Sequence, residues 1–462
     1  MLADTCSELI SHMTMQFSAN ARLSEHPLRQ ELYAEMHSRP FRVIDAPARI
    51  SHLVIMCDET QKKSQYAHLL KLCESYAVEP PEQDVAFFQM NLNGLQMRRE
   101  KHLEFIAYTF TSRCDDSEVP FAHSCIGGLP EEWLAGLEGQ IVTAFHVTVL
   151  DASESGEPDI PQVKQYFDDM RLIGSQPSQG AAQVWTTYQL HDDGYGRFLV
   201  YNREMSASQL GRLVQRLVEI ETYRLMTLLG LPLARSISPQ LRQMDLKLAE
   251  LTQTLAQGDQ QEGFNDAQQL LGQLTEIASQ VEAYRAQSTF RFNATLAYQN
   301  IMFNNIDELR EDEVSGHLTL QEFIGRRVGP AVKTCESVAA RLEDLSRRID
   351  RVSDMLRTQV DLSIQGQNQE LLSSMDRRSK IQLMMQHTVE GLSVAAISYY
   401  TIGLVKIFLG VLYDQGISFD KSLALGISMP LVIILVAGLT RRVHSKFNKL
   451  ADDPESPRSG HR

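Results

Sequence analysis

The sequence predicts an α+β protein: an amino-terminal α/β domain, then long stalk helices, then a carboxy-terminal two-helix transmembrane hairpin. Three observations carry this. Runs rich in β-branched and aromatic residues recur up to about residue 205 and then stop. Apolar seams at alternating three- and four-residue spacing follow them. Two nearly uncharged runs come last.

Residues 1–23 show no periodicity and read as a disordered tail. The string EHPLRQELYAEMHSRP predicts a helix begun near Ser24 and ended by Pro40. Strand-like runs follow: ARISHLVIMC, VAFFQMNL, LEFIAYTFTS, QIVTAFHVTVL, AAQVWTTYQL and RFLVYN. Helix-like QYAHLLKLCESY and PEEWLAGL interleave with them, so residues 24–205 form the α/β domain. From Ser206 onward no strand signal survives, and residues 206–390 read as the stalk.

The stalk carries three seams. One runs through Leu241, Met244, Leu248, Leu251 and Leu255; a second through Leu270, Leu274, Ile277, Val281 and Tyr284. The third, Val338, Leu342, Leu345, Ile349, Val352 and Leu356, has heptad spacing. They imply packing within the chain, coiled-coil self-association, or both. Pro330 is the last strong breaker, so one helix is expected from Ala331 to Tyr413, 83 residues and about 125 Å. Below the seam the helix turns polar, with Gln365, Gln367, Asn368 and Gln369 suited to a solvated stalk, a hydrogen-bonded interface or a funnel lining.

Gly391–Tyr413 holds one charge in 23 residues, about 35 Å as a helix and enough for a ~30 Å hydrocarbon core. Residues 414–422 form a polar outer loop, and Leu423–Leu439 is an uncharged second span. Arg377, Arg378 and Lys380 precede the first span, and Arg441, Arg442, Lys446 and Lys449 follow the second. The positive-inside rule puts both chain ends in the cytoplasm and the loop outside. Residues 440–462 form a basic and then polar cytoplasmic tail.

Composition is ordinary, with 43% hydrophobic and 22% charged residues, which excludes a disordered chain and a many-span membrane protein. The net charge of −14 speaks against nucleic acid as a partner. Residues 391–462 hold eight Lys and Arg against five Asp and Glu, which leaves −17 on the rest. Such a body is repelled by an anionic leaflet and stands off it. The six cysteines form no CxxC pair, as in a reducing compartment without a zinc ribbon.

The phosphate-loop, dinucleotide, zinc-protease and nucleophile-elbow motifs are all missing, so no catalytic residue and no cofactor is assigned, and metal binding stays open. The ligand-binding candidates are His26, His37, and His102 with Glu104, which would share a face if they alternate on a strand. HDDGYGR (His191–Arg197) reads as a glycine-made hairpin turn, with a cation site at Asp192 and Asp193 as the alternative. In QRLVEIETYR, Glu221 and Arg224 are spaced to pair on one helix.

On the first span Gly391, Ala395, Ser398, Tyr399, Ile402, Gly403, Lys406, Gly410 and Tyr413 share one side. A small and polar face on a membrane helix is a protein-facing side. Lys406 at mid-span costs about 2.5–3.5 kcal/mol unless it snorkels to the outer interface or lines an oligomeric axis or polar cavity. A ring of lysines there would repel cations.

The strings HPLRQELYAEMHSRP, EKHLEFIAYTF, GRLVQRLVEIETYRLMTLLGLPLAR and LRTQVDLSIQGQNQELLSSMDRRSKIQLMMQHTVEGLSVAAISYY resemble an uncharacterised bacterial family of membrane-anchored proteins, domain-of-unknown-function family 3422. The resemblance spans nearly the whole chain and brings no catalytic residues with it. In layout the chain is also similar to CorA-type magnesium channels, which form homopentamers. That family's Gly-Met-Asn motif after the first span is absent, and Tyr413, Asp414, Gln415 and Gly416 stand there.

The reading that follows is a non-enzymatic, homo-oligomeric inner-membrane protein for transport, gating or scaffolding, partnered by the lipid bilayer and its own copies, with any small ligand or ion left open. A CorA-like channel or transporter is one alternative. A membrane-tethered enzyme using His37, His102 and nearby carboxylates is the other.

Overall fold

A computed structural model describes residues 26–30, 32–33, 43–115, 118–156, 159–257, 264–414 and 420–451. The chain divides into two units, residues 1–258 with 272–352, and residues 259–271 with 353–462.

The first unit is built on a nine-stranded sheet: β1 (Ala48–Met56), β2 (Phe87–Leu92), β3 (Leu95–Lys101), β4 (Phe105–Arg113), β5 (Gln140–Asp151), β6 (Ile173–Gln176), β7 (Ala182–Thr186), β8 (Gly196–Asn202) and β9 (Asp312–Glu313). Their order is β2-β3-β4-β1-β5-β8-β7-β6-β9, and every pair is antiparallel except β5 with β8. All six runs read from the sequence as strands are strands.

Three strands carry no such signal. β3 is LQMRREK, and its Arg98 and Arg99 are buried. Asp84 meets Arg99 at 2.9 Å, and Glu100 meets Arg98 at 3.1 Å while Phe87 lies under its guanidinium. These partners let charge sit where the period-two pattern demands apolar residues. β2 and β3 are joined by Asn93 and Gly94, both with positive φ, the two-residue turn that suits the twist of a hairpin. β6 is only four residues long. β9 corrects the expectation that strands end by residue 205: two exposed acidic residues return from between the later helices to pair with Ser175 and Gln176.

Helices cover both faces of the sheet. On one, Leu53, Ile55, Tyr108 and Phe110 meet Leu69, Leu72 and Cys73 of α1 (Glu59–Ser75) and Trp133 of α2 (Glu131–Ala135). Further along, Leu150, Trp185 and Leu199 meet Val163 of α3 (Ile160–Gln165). On the other face Phe145, Val147, Val184 and Val200 pack on α4 (Ala207–Leu228) through Leu210, Val214 and Leu217. The same cluster takes Met302 and Ile306 from α6 (Phe264–Leu309) and Ile324 and Val328 from α7 (Leu320–Asp414). A Ser206–Gln209 capping box starts α4.

α5 (Gly230–Gln257) follows α4 after one residue. Gly230 is needed there, because a Cβ would collide with Thr295 and Cys335. Leu241, Met244 and Leu248 of α5, Leu274, Ile277 and Val281 of α6, and Val338, Leu342 and Leu345 of α7 are all buried, so the seams are satisfied within the chain. Asp245 bridges Arg341 and Arg348, and Arg285 reaches Glu343.

α7 begins at Leu320, eleven residues before the expected start, and passes Pro330 without a break. Pro330 is exposed, so the hydrogen bond it deletes lies on the solvent side, while Ile324, Val328, Ala331 and Val332 hold the buried stripe across it.

The second unit holds the rest of α7 and α8 (Lys421–Ala451), which runs twelve residues beyond the expected end of the span. The residues read as a disordered tail, 1–23, lie outside the described set, as do those of the outer loop from 415 to 419.

Candidate functional site

His26 is exposed, and its Nδ1 accepts the Leu28 N–H at 3.2 Å. His37 lies outside the described residues. His102 sits in the turn between β3 and β4, with its ring stacked 4.2 Å from Phe105. Glu104, in the same turn, is buried and held by α6: Arg291 donates to both its oxygens at 2.5 and 3.2 Å, and the Tyr298 hydroxyl donates at 2.5 Å. Burial first, and the bond to Glu104 second, push the Tyr298 phenol above its usual range. This clamp fixes the β3–β4 turn to a helix almost 190 residues away, and no local pattern announces Arg291 or Tyr298 as its partners.

The HDDGYGR segment is the turn between β7 and β8, with Gly194 at φ +79° and the His191 N–H bonded to the Tyr195 carbonyl. Asp193 is taken by Arg197 and by the Tyr195 N–H. His191 Nδ1 lies 2.6 Å from Asp168, and its Nε2 is buried without a partner among the described residues. With Asp168 accepting, the proton resides on Nδ1. Among the described residues no group of three or more His, Cys, Asp or Glu is placed to hold a metal.

Glu221 and Arg224 pair at 2.7 Å as their spacing suggested, and Arg224 stacks 4.8 Å over the Tyr188 ring. Arg216 turns instead to Glu308, 2.7 Å away on α6.

His146 on β5 shares a hydrogen bond with Ser51 at 2.8 Å and stacks 4.4 Å from Tyr195. Burial holds its imidazole down, from 6.5 to about 4, with Asp193 opposing and Arg197 adding to the shift. The folded protein therefore refuses a proton that the unfolded chain accepts between these values. The contribution is intact above pH 6.5 and is lost as pH falls toward 4, by about 3 kcal/mol in all. Urea midpoints measured from pH 7 to 4 should fall less steeply in His146→Gln than in the wild type; equal slopes would refute the assignment.

In the second unit, the stretch of α7 from Gly391 and α8 present most of their apolar side chains outward, with Leu404, Phe408, Ile434 and Leu435 among the exposed. Each has one shaded stripe: Val394, Ser398, Ile402, Val405 and Leu409 on α7, and Ala424, Ser428, Val432, Val436 and Thr440 on α8. Of the small and polar face, Ser398 is buried and Gly403 and Gly410 are half-shaded, whereas Gly391, Tyr399 and Lys406 are exposed. A Cβ added at Gly391, Gly403 or Gly410 meets nothing, so these glycines serve no close approach within the chain. α7 and α8 are both long and apolar enough to cross a membrane.

A family model described as a protein of unknown function, DUF3422, matches residues 24–447. No curated protein matches the chain. Neither result supports the likeness in layout to CorA-type channels.

Proposed function

The chain belongs to the DUF3422 family, and we propose that it is an integral inner-membrane protein and not an enzyme. The α7–α8 hairpin anchors it, and its sheet domain and both chain ends lie in the cytoplasm. It works as a self-associating scaffold or gate. One observation carries the anchor: only 6% and 11% of the apolar stretches of the two helices are buried, where the core helix of a soluble protein would be covered. The basic flanks supply the orientation. Self-association rests on the first span, where exposed Lys406 stands between Gly403 and Gly410, at which an added Cβ would meet nothing.

The test is cysteine labelling in intact cells. Ser418→Cys, in the loop, should react with a membrane-impermeant maleimide from outside, and Ser459→Cys only after lysis. The reverse pattern would overturn the orientation, and full extraction of the wild type by alkaline carbonate would overturn the anchor. A monomer mass in detergent would remove the self-association.

A further inference from the structure

Three arginines of the sheet domain converge on one open cavity of about 340 Å³. Arg171 comes from the segment before β6, and Arg326 and Arg327 from the early turns of α7. None of the three forms an ion pair with a described residue. Several other guanidinium groups of this domain are matched: Arg49 with Glu118, Arg113 with Asp45, Arg224 with Glu221, Arg291 with Glu104.

The remaining wall is Ile173, Thr187, Tyr188, Gln189, Leu318 and Phe323, with no carboxylate among them. Glu311, whose charge reaches Tyr188, is occupied: it accepts the Leu320 and Gln321 N–H groups at the start of α7 and the Ser175 hydroxyl. The helix end is therefore already capped by an anion, and the three arginines are surplus to it.

Tyr188 and Phe323 stack 5.3 Å apart and nearly parallel, forming an apolar floor beside the charges. Tyr188 is held at φ +53°, a left-handed backbone that a bulky side chain seldom adopts. The strained turn thus keeps the ring against α7.

We propose that this cavity binds a small phosphate-bearing molecule, with Arg171, Arg326 and Arg327 on the phosphoryl oxygens and an apolar part against Tyr188 and Phe323. Guanidinium forks match phosphate oxygens in pairs. Three uncompensated cations call for an anion of charge two or more, which phosphate esters approach and diphosphates exceed. The volume lies at the lower end for small-molecule sites and exceeds the needs of an inorganic ion. On a chain of net charge −14, such a ligand is held by short-range contacts against the overall field. The inference is independent of the membrane reading.

The test is calorimetric titration of pyrophosphate into the full-length protein in neutral detergent at fixed ionic strength. Saturable one-site binding is expected, weakened at least about tenfold in Arg171→Gln and in Arg326→Gln. All three side chains are exposed, so these variants should melt like the wild type without ligand. Arg212→Gln, in a separate groove beside Glu308, should bind unchanged. No saturable binding, or equal affinity in the Arg171 and Arg326 variants, overturns the proposal. Phosphatidic acid doped into the micelles then identifies the source. If it displaces pyrophosphate, the phosphate belongs to a lipid headgroup; if it does not, the ligand is soluble, and either result upholds the phosphate site.

Discussion

Replacing Glu104 by alanine is expected to destabilise the sheet domain by about 3–5 kcal/mol, because it leaves the Arg291 guanidinium buried without its counter-charge. Glu104 and Arg291 side chains are only 9% and 16% exposed, so water cannot make good the loss. The chain offers a clean measurement. Its two tryptophans, Trp133 packed on the sheet and Trp185 within β7, are both buried, so fluorescence-detected urea unfolding reads this domain and is blind to the apolar helices. Arg291→Ala should cost a similar amount. The double variant should cost clearly less than the two singles combined, since removing both charges spares the remaining one its desolvation. Strict additivity would show that the two side chains do not act as a pair.

Ile434→Arg should have the largest effect on membrane retention. Ile434 is 71% exposed on α8, near the middle of the apolar stretch. An arginine there raises the cost of insertion by about 3 kcal/mol relative to isoleucine, roughly a hundredfold in the equilibrium. Much of the variant should therefore leave the membrane on alkaline extraction, while Ile434→Ala stays behind. Identical retention of the arginine variant and the wild type would contradict a lipid-facing position.

The parts of the fold that follow from local pattern were open to sequence reading. β1, β4 and β5 alternate or run apolar because both faces of the sheet are covered, and the stalk seams repeat because helices bury one stripe. β3 was hidden because its inward arginines depend on Asp84 and Phe87, which no window around residues 95–101 includes. Asn93-Gly94 was the available signal for that hairpin. Pro330 misled because a proline's cost depends on which side of the helix it occupies, and solvent exposure is a tertiary property. The same limit applies to the sites. Glu104 stood out for its neighbour His102, yet its bonds run to Arg291 and Tyr298 on α6. Arg171 and Arg326 are 155 positions apart and come together only when the start of α7 is laid beside the strand edge.

The two ends of the sheet are unlike. At one end β9 sets two exposed carboxylates, Asp312 and Glu313, against any arriving strand. At the other, β2 is the outermost of the described strands, six residues without a charge or a proline. A ribbon with one repelling and one receptive border pairs once with its own kind and then stops. Sheet-mediated association of this protein would end at a closed two-fold dimer and never extend into a fibre.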